Sequence, residues 1–305
     1  MGFLNPNRLR VAAAFLAASL PACSIKKVAI NALGNALAEG GSTYARDDDP
    51  ELISQAVPFG LKTVEALLME SPRHKGLLFA AASGFTQYGY AFVQQEADFV
   101  EERDLARATE LRTRARKLYL RGLEYGFRGL ETDLPGLRDA LRRDPSAALA
   151  KARKEHVPLL YWTALSWAAA MAITKEDPEL TADQGSVEAM MKRALALDEG
   201  YGYGSIHDFF ITYEGGRSSV GGSRTEARHH FEKAIGFAGG HRVAPLVAFA
   251  ETVSVAAQDR PEFEKLLRQA LDVDPGAVTD LRLTNLVYQR RARWLLGRAD
   301  ELFIE

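Results

Sequence analysis

Apolar positions along this chain recur every third or fourth residue and almost nowhere every second one. Ala, Leu, Arg and Glu dominate long stretches with this 3.6-residue rhythm, and alternating runs of β-branched residues do not occur. The pattern predicts an all-α protein. Helices are expected near residues 26–40, 51–70, 74–100, 103–130, 157–174, 184–197, 205–214, 223–238, 243–256, 260–272 and 278–297. Clusters such as Ser71-Pro72, Asp177-Pro178 and Asp274-Pro275-Gly276 separate them. The glycine-rich stretch 215–223 lacks the Gly-Lys-Ser/Thr ending of a phosphate-binding loop and reads as a flexible linker.

A second periodicity lies beneath the first. The spacing small–x3–large apolar–x2–small, typical of the second helix of a tetratricopeptide repeat, occurs at Ala115-Tyr119-Gly122 and Ala227-Phe231-Ala234. Looser copies are Val187-Met191-Ala194 and Phe263-Leu267-Ala270, and Gly60-Val64-Leu67 is a weaker fifth. The last residues of the four better copies are separated by 72, 40 and 36 positions, near multiples of a repeat of about 34 residues. Small residues let one helix approach the next, and the large one fills the gap between pairs. Because the first-helix half of the consensus is poorly kept, the expectation is an irregular tetratricopeptide-like helical solenoid.

The N-terminus follows a different rule. Arg8 and Arg10 precede the apolar run 11–20, and Leu20-Pro21-Ala22-Cys23 follows. A basic start, about ten apolar residues and a small residue before a cut form a secretory leader too short to span a bilayer. Cys23, the single cysteine, sits where a bacterial lipobox places its lipid-modified residue, although Pro21 departs from that pattern. The expected organisation is a leader over 1–22 and one helical domain over 23–305, exported and held to a membrane through lipid on Cys23. No further apolar run is expected to cross a membrane. Lys and Arg total 38 against 40 Asp and Glu; without the two leader arginines the count is 36 against 40, a net charge of −4. That near balance points away from nucleic acid. With Cys23 lipidated, no thiol remains for disulfides, zinc or catalysis.

Candidate chemistry is sparse. His229 and His230 are adjacent and point about 100° apart on a helix, no histidine pair has i, i+4 spacing, and no metal site or cofactor is expected. No serine lies in a Gly-x-Ser-x-Gly elbow, so no enzyme is expected. Arg107, Arg114, Arg121 and Arg128 recur every seven residues and read as a solvated face, supported by Glu110 and Glu124 four residues before Arg114 and Arg128. Arg290 lies on the otherwise apolar row Leu283, Val287, Trp294 and is expected to need a carboxylate or anionic partner. The stretch 158–172 is apolar nearly all round. Its Trp162 and Trp167 stand about 140° apart, so one is expected in the core and the other facing a groove, channel or interface. Trp162, Trp167 and Arg290 are the ligand or interface candidates.

Several segments together resemble the T-component of tripartite ATP-independent periplasmic (TRAP) transporters: Gln87–Glu96 (QYGYAFVQQE), Arg114–Glu131 (RARKLYLRGLEYGFRGLE), Leu159–Ala170 (LLYWTALSWAAA), Met190–Tyr213 (MMKRALALDEGYGYGSIHDFFITY), Ala227–Ile235 (ARHHFEKAI) and Arg282–Leu296 (RLTNLVYQRRARWLL). The likeness runs in order from about residue 50 to the C-terminus. It implies a periplasmic lipoprotein with a tetratricopeptide-like body, assembled as a homotrimer with a pore through each subunit. It further implies association with the transporter's solute-binding protein, and a pore that passes or holds an apolar or amphipathic small molecule. Ser24 after the cysteine favours the outer membrane, facing the periplasm. The rival expectation is an envelope scaffold lipoprotein with no small-molecule ligand, since solenoids present extended concave surfaces to other proteins.

Overall fold

Polar caps set the ends of the helices. In the computed structural model, Asp49, Asp104, Ser223 and Asp259 each accept the backbone N–H three residues on, at Leu52, Arg107, Glu226 and Glu262. Each cap satisfies a donor that the first helical turn leaves free. The structure describes residues 41–174, 182–217 and 221–304. The leader, Cys23, Ser24, the expected helix 26–40 and Asp177-Pro178 lie outside the described residues.

Among the described residues every regular element is helical: α1 (Gly41–Ala45), α2 (Pro50–Glu70), α3 (Lys75–Tyr88), α4 (Gln95–Val100), α5 (Leu105–Leu130), α6 (Leu137–Arg143), α7 (Pro145–Leu149), α8 (Val157–Ala172), α9 (Gln184–Leu197), α10 (Tyr201–Gly215), α11 (Arg224–Phe237), α12 (Ala244–Phe249), α13 (Arg260–Asp272), α14 (Arg282–Gly297) and α15 (Ala299–Leu302). A π-helical turn, Gly89–Gln94, joins α3 to α4, and another, Ala250–Ser254, extends α12. Helices α6 and α7 occupy a stretch expected to be loop; each is too short for periodicity to mark it.

Helices pack mainly on their neighbours in sequence: α3 on α5, α5 on α8, α8 on α9, α10 on α11, and α13 on α14. Three cores follow the same order, their buried residues spanning 61–170, 123–210 and 211–303. The four small–large–small triplets fall on α5, α9, α11 and α13, and all their residues except Phe231 are buried. Contact is closest where α5 meets α8. A Cβ on Gly126 would lie 2.2 Å from Thr163 Oγ1, and one on Gly122 would crowd Thr86 and Ser166, which hydrogen bond to each other.

The run of helices does not stay open. Helix α14 returns to the N-terminal end, packing on α1 and α2. Tyr288 meets Tyr90 with ring centroids 5.7 Å apart, and Trp294 meets Phe99 at 5.3 Å. Ion pairs line the same seam: Arg290 Nη2 with Glu96 Oε2 at 3.0 Å, Arg298 Nε with Glu102 Oε1 at 2.8 Å, and Arg46 Nε with Asp280 Oδ1 at 2.6 Å. Residues nearly 200 positions apart therefore close the chain on itself.

One expectation about spanning segments needs correction. By length and composition alone α2, with a mean hydropathy of 1.2, is long enough to cross a bilayer. It is nonetheless part of the body, burying Ile53, Leu61, Val64 and Leu68. Its outer face leaves Phe59 80% and Met69 85% exposed. The sequence pattern hid this because Pro58, Lys62 and Glu65 interrupt the apolar run.

Candidate functional site: a tyrosine- and carboxylate-lined interior

Where α14 closes on the N-terminal helices, polar side chains from five parts of the chain converge. Tyr90 comes from the first π turn, Tyr161 from α8, Asp208 from α10, Glu251 from the second π turn, and Tyr288 with Arg291 from α14. Wide turns of this kind rotate the residues after them and are frequent at functional sites. Electrostatic coupling links the groups in one chain. Tyr288 feels Tyr90, Asp208 and Tyr161, while Tyr90 feels Arg291, Glu251 and Asp98.

Three arginines anchor this cluster. Arg291 donates from Nε to Glu251 Oε2 at 2.8 Å and from Nη1 to Asp98 Oδ2 at 3.0 Å, and Nη2 holds the second Glu251 oxygen. Arg112 approaches Asp98 from the other side at 3.2 Å and grips Glu101 with both terminal nitrogens. Arg242 forms a two-pronged pair with Asp208 and donates to the Tyr203 carbonyl at 3.2 Å. That carbonyl belongs to a left-handed turn in which Gly202, Tyr203 and Gly204 have φ of 57°, 58° and 82°. Only glycine adopts such angles freely, so Tyr203 stores strain that the buried guanidinium helps to hold.

Burial raises the pKa of Tyr90, Tyr161, Tyr288 and Asp208, and for Asp208 the Arg242 charge opposes that rise. Yet Tyr90, Tyr288, Asp208 and Glu251 all keep some accessible surface.

The expected site residues divide. Trp167 is buried and packs edge-on against Phe127 at 5.4 Å. Trp162 is half-buried, edge-on to Tyr161 at 5.0 Å, and Tyr161 in turn meets Tyr201 at 5.4 Å. Arg290 has a carboxylate partner in Glu96 but lies exposed, with its guanidinium over the Phe99 ring at 4.6 Å. The arginine that is buried and tied to carboxylates is its neighbour Arg291. The arginine stripe is solvated at Arg107, Arg114 and Arg121, which are exposed, and half-buried at Arg128; Arg114 also lies over Tyr88, Arg121 over Phe85 and Arg128 over Tyr125.

A histidine pair also went unseen in the sequence, since its members are 23 residues apart. His207 Nδ1 and His230 Nδ1 are 2.8 Å apart, a hydrogen bond that requires one donor and one acceptor. His207 stacks on Phe237, and its Nε2 lies 3.6 Å from Glu199, which also pairs with Lys233. Among the described residues no group of three or more His, Cys, Asp or Glu is placed to hold a metal ion. Burial and then the His230 ring push the His207 pKa down to about 4. The unfolded chain therefore binds more protons between about pH 6.5 and 4, so this contribution is full above that window and lost as pH falls through it. Stability is expected to drop by about 2 kcal/mol between pH 7.5 and 5 from this group. Urea unfolding at the two pH values should show the drop, and His207→Gln should remove that part of it.

The family model of the TRAP transporter T-component matches residues 46–303. An uncharacterized protein of Treponema pallidum (strain Nichols) is 30% identical over 302 residues, covering 93% of this chain and 94% of its own length.

Proposed function

Because the chain belongs to the TRAP transporter T-component family, we propose that it is the transporter's lipid-anchored periplasmic accessory, which docks the solute-binding component and offers it a ligand passage. The family is a transport accessory associated with the envelope and is not a known enzyme family. The passage is supported by the convergence of Tyr90, Tyr161, Asp208, Glu251 and Tyr288 from separate parts of the chain where α14 packs on the N-terminal helices. It adds polar groups to a passage that the aromatic helix α8 alone would suggest is apolar. Trp162, half-buried beside Tyr161, belongs to its wall; Trp167 supports that wall from the core.

The body is read as a tetratricopeptide-like solenoid closed on itself, supported by the buried triplets on α5, α9, α11 and α13. Residues 1–22 are the leader, Cys23 carries the lipid, and Ser24 directs the protein to the outer membrane, where it assembles as a homotrimer. Cys23→Ser should release the protein from membranes as a soluble or unprocessed species; fractionation that finds it still membrane-bound would rule out the lipid anchor.

The docking role is tested by pulldown of the protein from its native envelope with mass spectrometry of the recovered proteins. A TRAP solute-binding protein is the expected partner. Recovery of cell-wall or outer-membrane assembly factors in its place would support the scaffold alternative and overturn docking.

A further inference from the structure

The outer face of α5 departs from the charge balance of the chain. Between Arg107 and Arg128 every exposed position of this helix is charged or a threonine. One row, stepping by three and four residues, reads Arg107, Glu110, Arg114, Lys117, Arg121, Glu124, Arg128. Five cations meet two carboxylates there, a charge of +3 on a chain whose total is −2. Both carboxylates are engaged, Glu110 with Arg107 at 3.0 Å and Glu124 with Arg138 at 2.7 Å. Among the described residues Arg114, Lys117 and Arg128 have no carboxylate partner; Arg114 reaches the Tyr88 hydroxyl and Arg128 the Pro72 carbonyl. Arg121 Nε lies 3.5 Å from Glu65, a carboxylate that already holds Lys62 and the Tyr125 hydroxyl.

The arginines of this row are also held in place. Arg114 lies over the Tyr88 ring at 5.9 Å, Arg121 over Phe85 at 5.2 Å and Arg128 over Tyr125 at 5.1 Å. A guanidinium resting on a ring keeps N–H groups at its edge for an outside acceptor, and its existing order lowers the entropy cost of binding. Successive arginines are seven residues apart, which is about 10.5 Å along the helix axis.

From this arrangement we infer that the α5 row docks an acidic ridge on the solute-binding component, with carboxylates repeating at about the same 10 Å spacing. Arginine forks pair with carboxylates, and a concentrated positive field steers an acidic partner toward the row. A lipid surface fits this face less well. A helix lying on a bilayer buries apolar side chains beside its cations, and this face exposes none, while Glu110 and Glu124 oppose anionic headgroups. This inference rests on the docking role proposed above.

The test measures association kinetics between the purified full chain and the solute-binding protein recovered by the pulldown, at about 50 and about 300 mM salt. The unaltered chain should associate roughly tenfold more slowly at the higher salt. Arg114→Gln, Lys117→Gln and Arg121→Gln together should slow association roughly tenfold at low salt and remove most of the salt dependence. Lys151→Gln, Arg153→Gln and Lys154→Gln together remove the same charge from exposed positions outside the row and should change the rate far less. Because Arg114 and Arg121 cover buried rings and their loss could disturb α3, Lys117→Glu at an exposed position serves as the second variant and should act in the same direction. Equal rates for the unaltered chain and the row variants would overturn the inference and leave docking standing. If the pulldown yielded no solute-binding protein, or the purified pair did not bind, docking and the inference would fall together. Flotation with phosphatidylcholine–phosphatidylglycerol vesicles is run alongside. Vesicle binding that depends on the row, with no effect of the row on the protein partner, would overturn the inference in favour of a lipid surface.

Discussion

Arg291→Ala is expected to cost about 3–5 kcal/mol of stability, the range for removing one partner from a buried ion pair. Arg291 fastens α14 to two other elements at once, to the second π turn through Glu251 and to α4 through Asp98. Truncation leaves Glu251 without its two-pronged partner and Asp98 with Arg112 alone. The adjacent Arg290→Ala makes the control. Arg290 bonds Glu96 across the same seam but in the open, where such a pair contributes roughly 0–1 kcal/mol, and its stacking on Phe99 adds a comparable amount. Denaturant midpoints of the two variants should therefore separate clearly. Small, equal losses would mean that the seam does not hold the C-terminal helix in place.

Trp167→Ala should destabilise the chain by about 3–5 kcal/mol, the range for deleting a fully packed aromatic ring. Trp167 lies in the middle core cluster, edge-on to Phe127, with no surface to which the cavity could open. Its indole N–H has no hydrogen-bond partner, so Trp167→Phe should cost much less than Trp167→Ala. Trp162→Ala is expected to behave differently in kind. Its ring is half-buried against Tyr161, so removal should cost about 1 kcal/mol while weakening binding of the partner protein or its ligand. Calorimetric titration alongside thermal unfolding separates the two effects. Equal, large destabilisation by both changes would make this helix a core element only.

How much of this could be read beforehand depended on the range of the interactions. Helix α13 begins and ends where the 3.6-residue rhythm puts it, because Asp259 caps its start and Asp274-Pro275-Gly276 follows its end. Positions such as Ala115, Ala194, Ala234 and Ala270 were legible because close helix contact demands small residues at fixed spacing, and all four are fully buried. The π turns were not. A single extra residue per turn barely disturbs the periodicity of Gly89–Gln94 or Ala250–Ser254, yet it changes which side chains face inward. Assigning the buried position to Arg290 failed for a related reason. Helix α14 is covered from two directions, by α13 and by the N-terminal helices, so its buried arc extends past the Leu283–Trp294 row to Arg291. Pairs such as Asp208 with Arg242 and His207 with His230, 34 and 23 residues apart, carry no periodic signal at all. The cluster became visible only once α14 met the N-terminal helices of the described residues.

Whether those ends meet in solution is the most direct question. Spin labels at positions 96 and 290, in a Cys23→Ser background with no other cysteine, report the seam without touching Arg291, since both native side chains are exposed. A narrow distance distribution centred within about 25 Å is expected, given helix axes that pack roughly 8–10 Å apart. A broad distribution centred beyond about 40 Å, the span of several stacked helices at that spacing, would contradict the closed interior. It would describe an open solenoid with a concave protein-binding face and no enclosed passage.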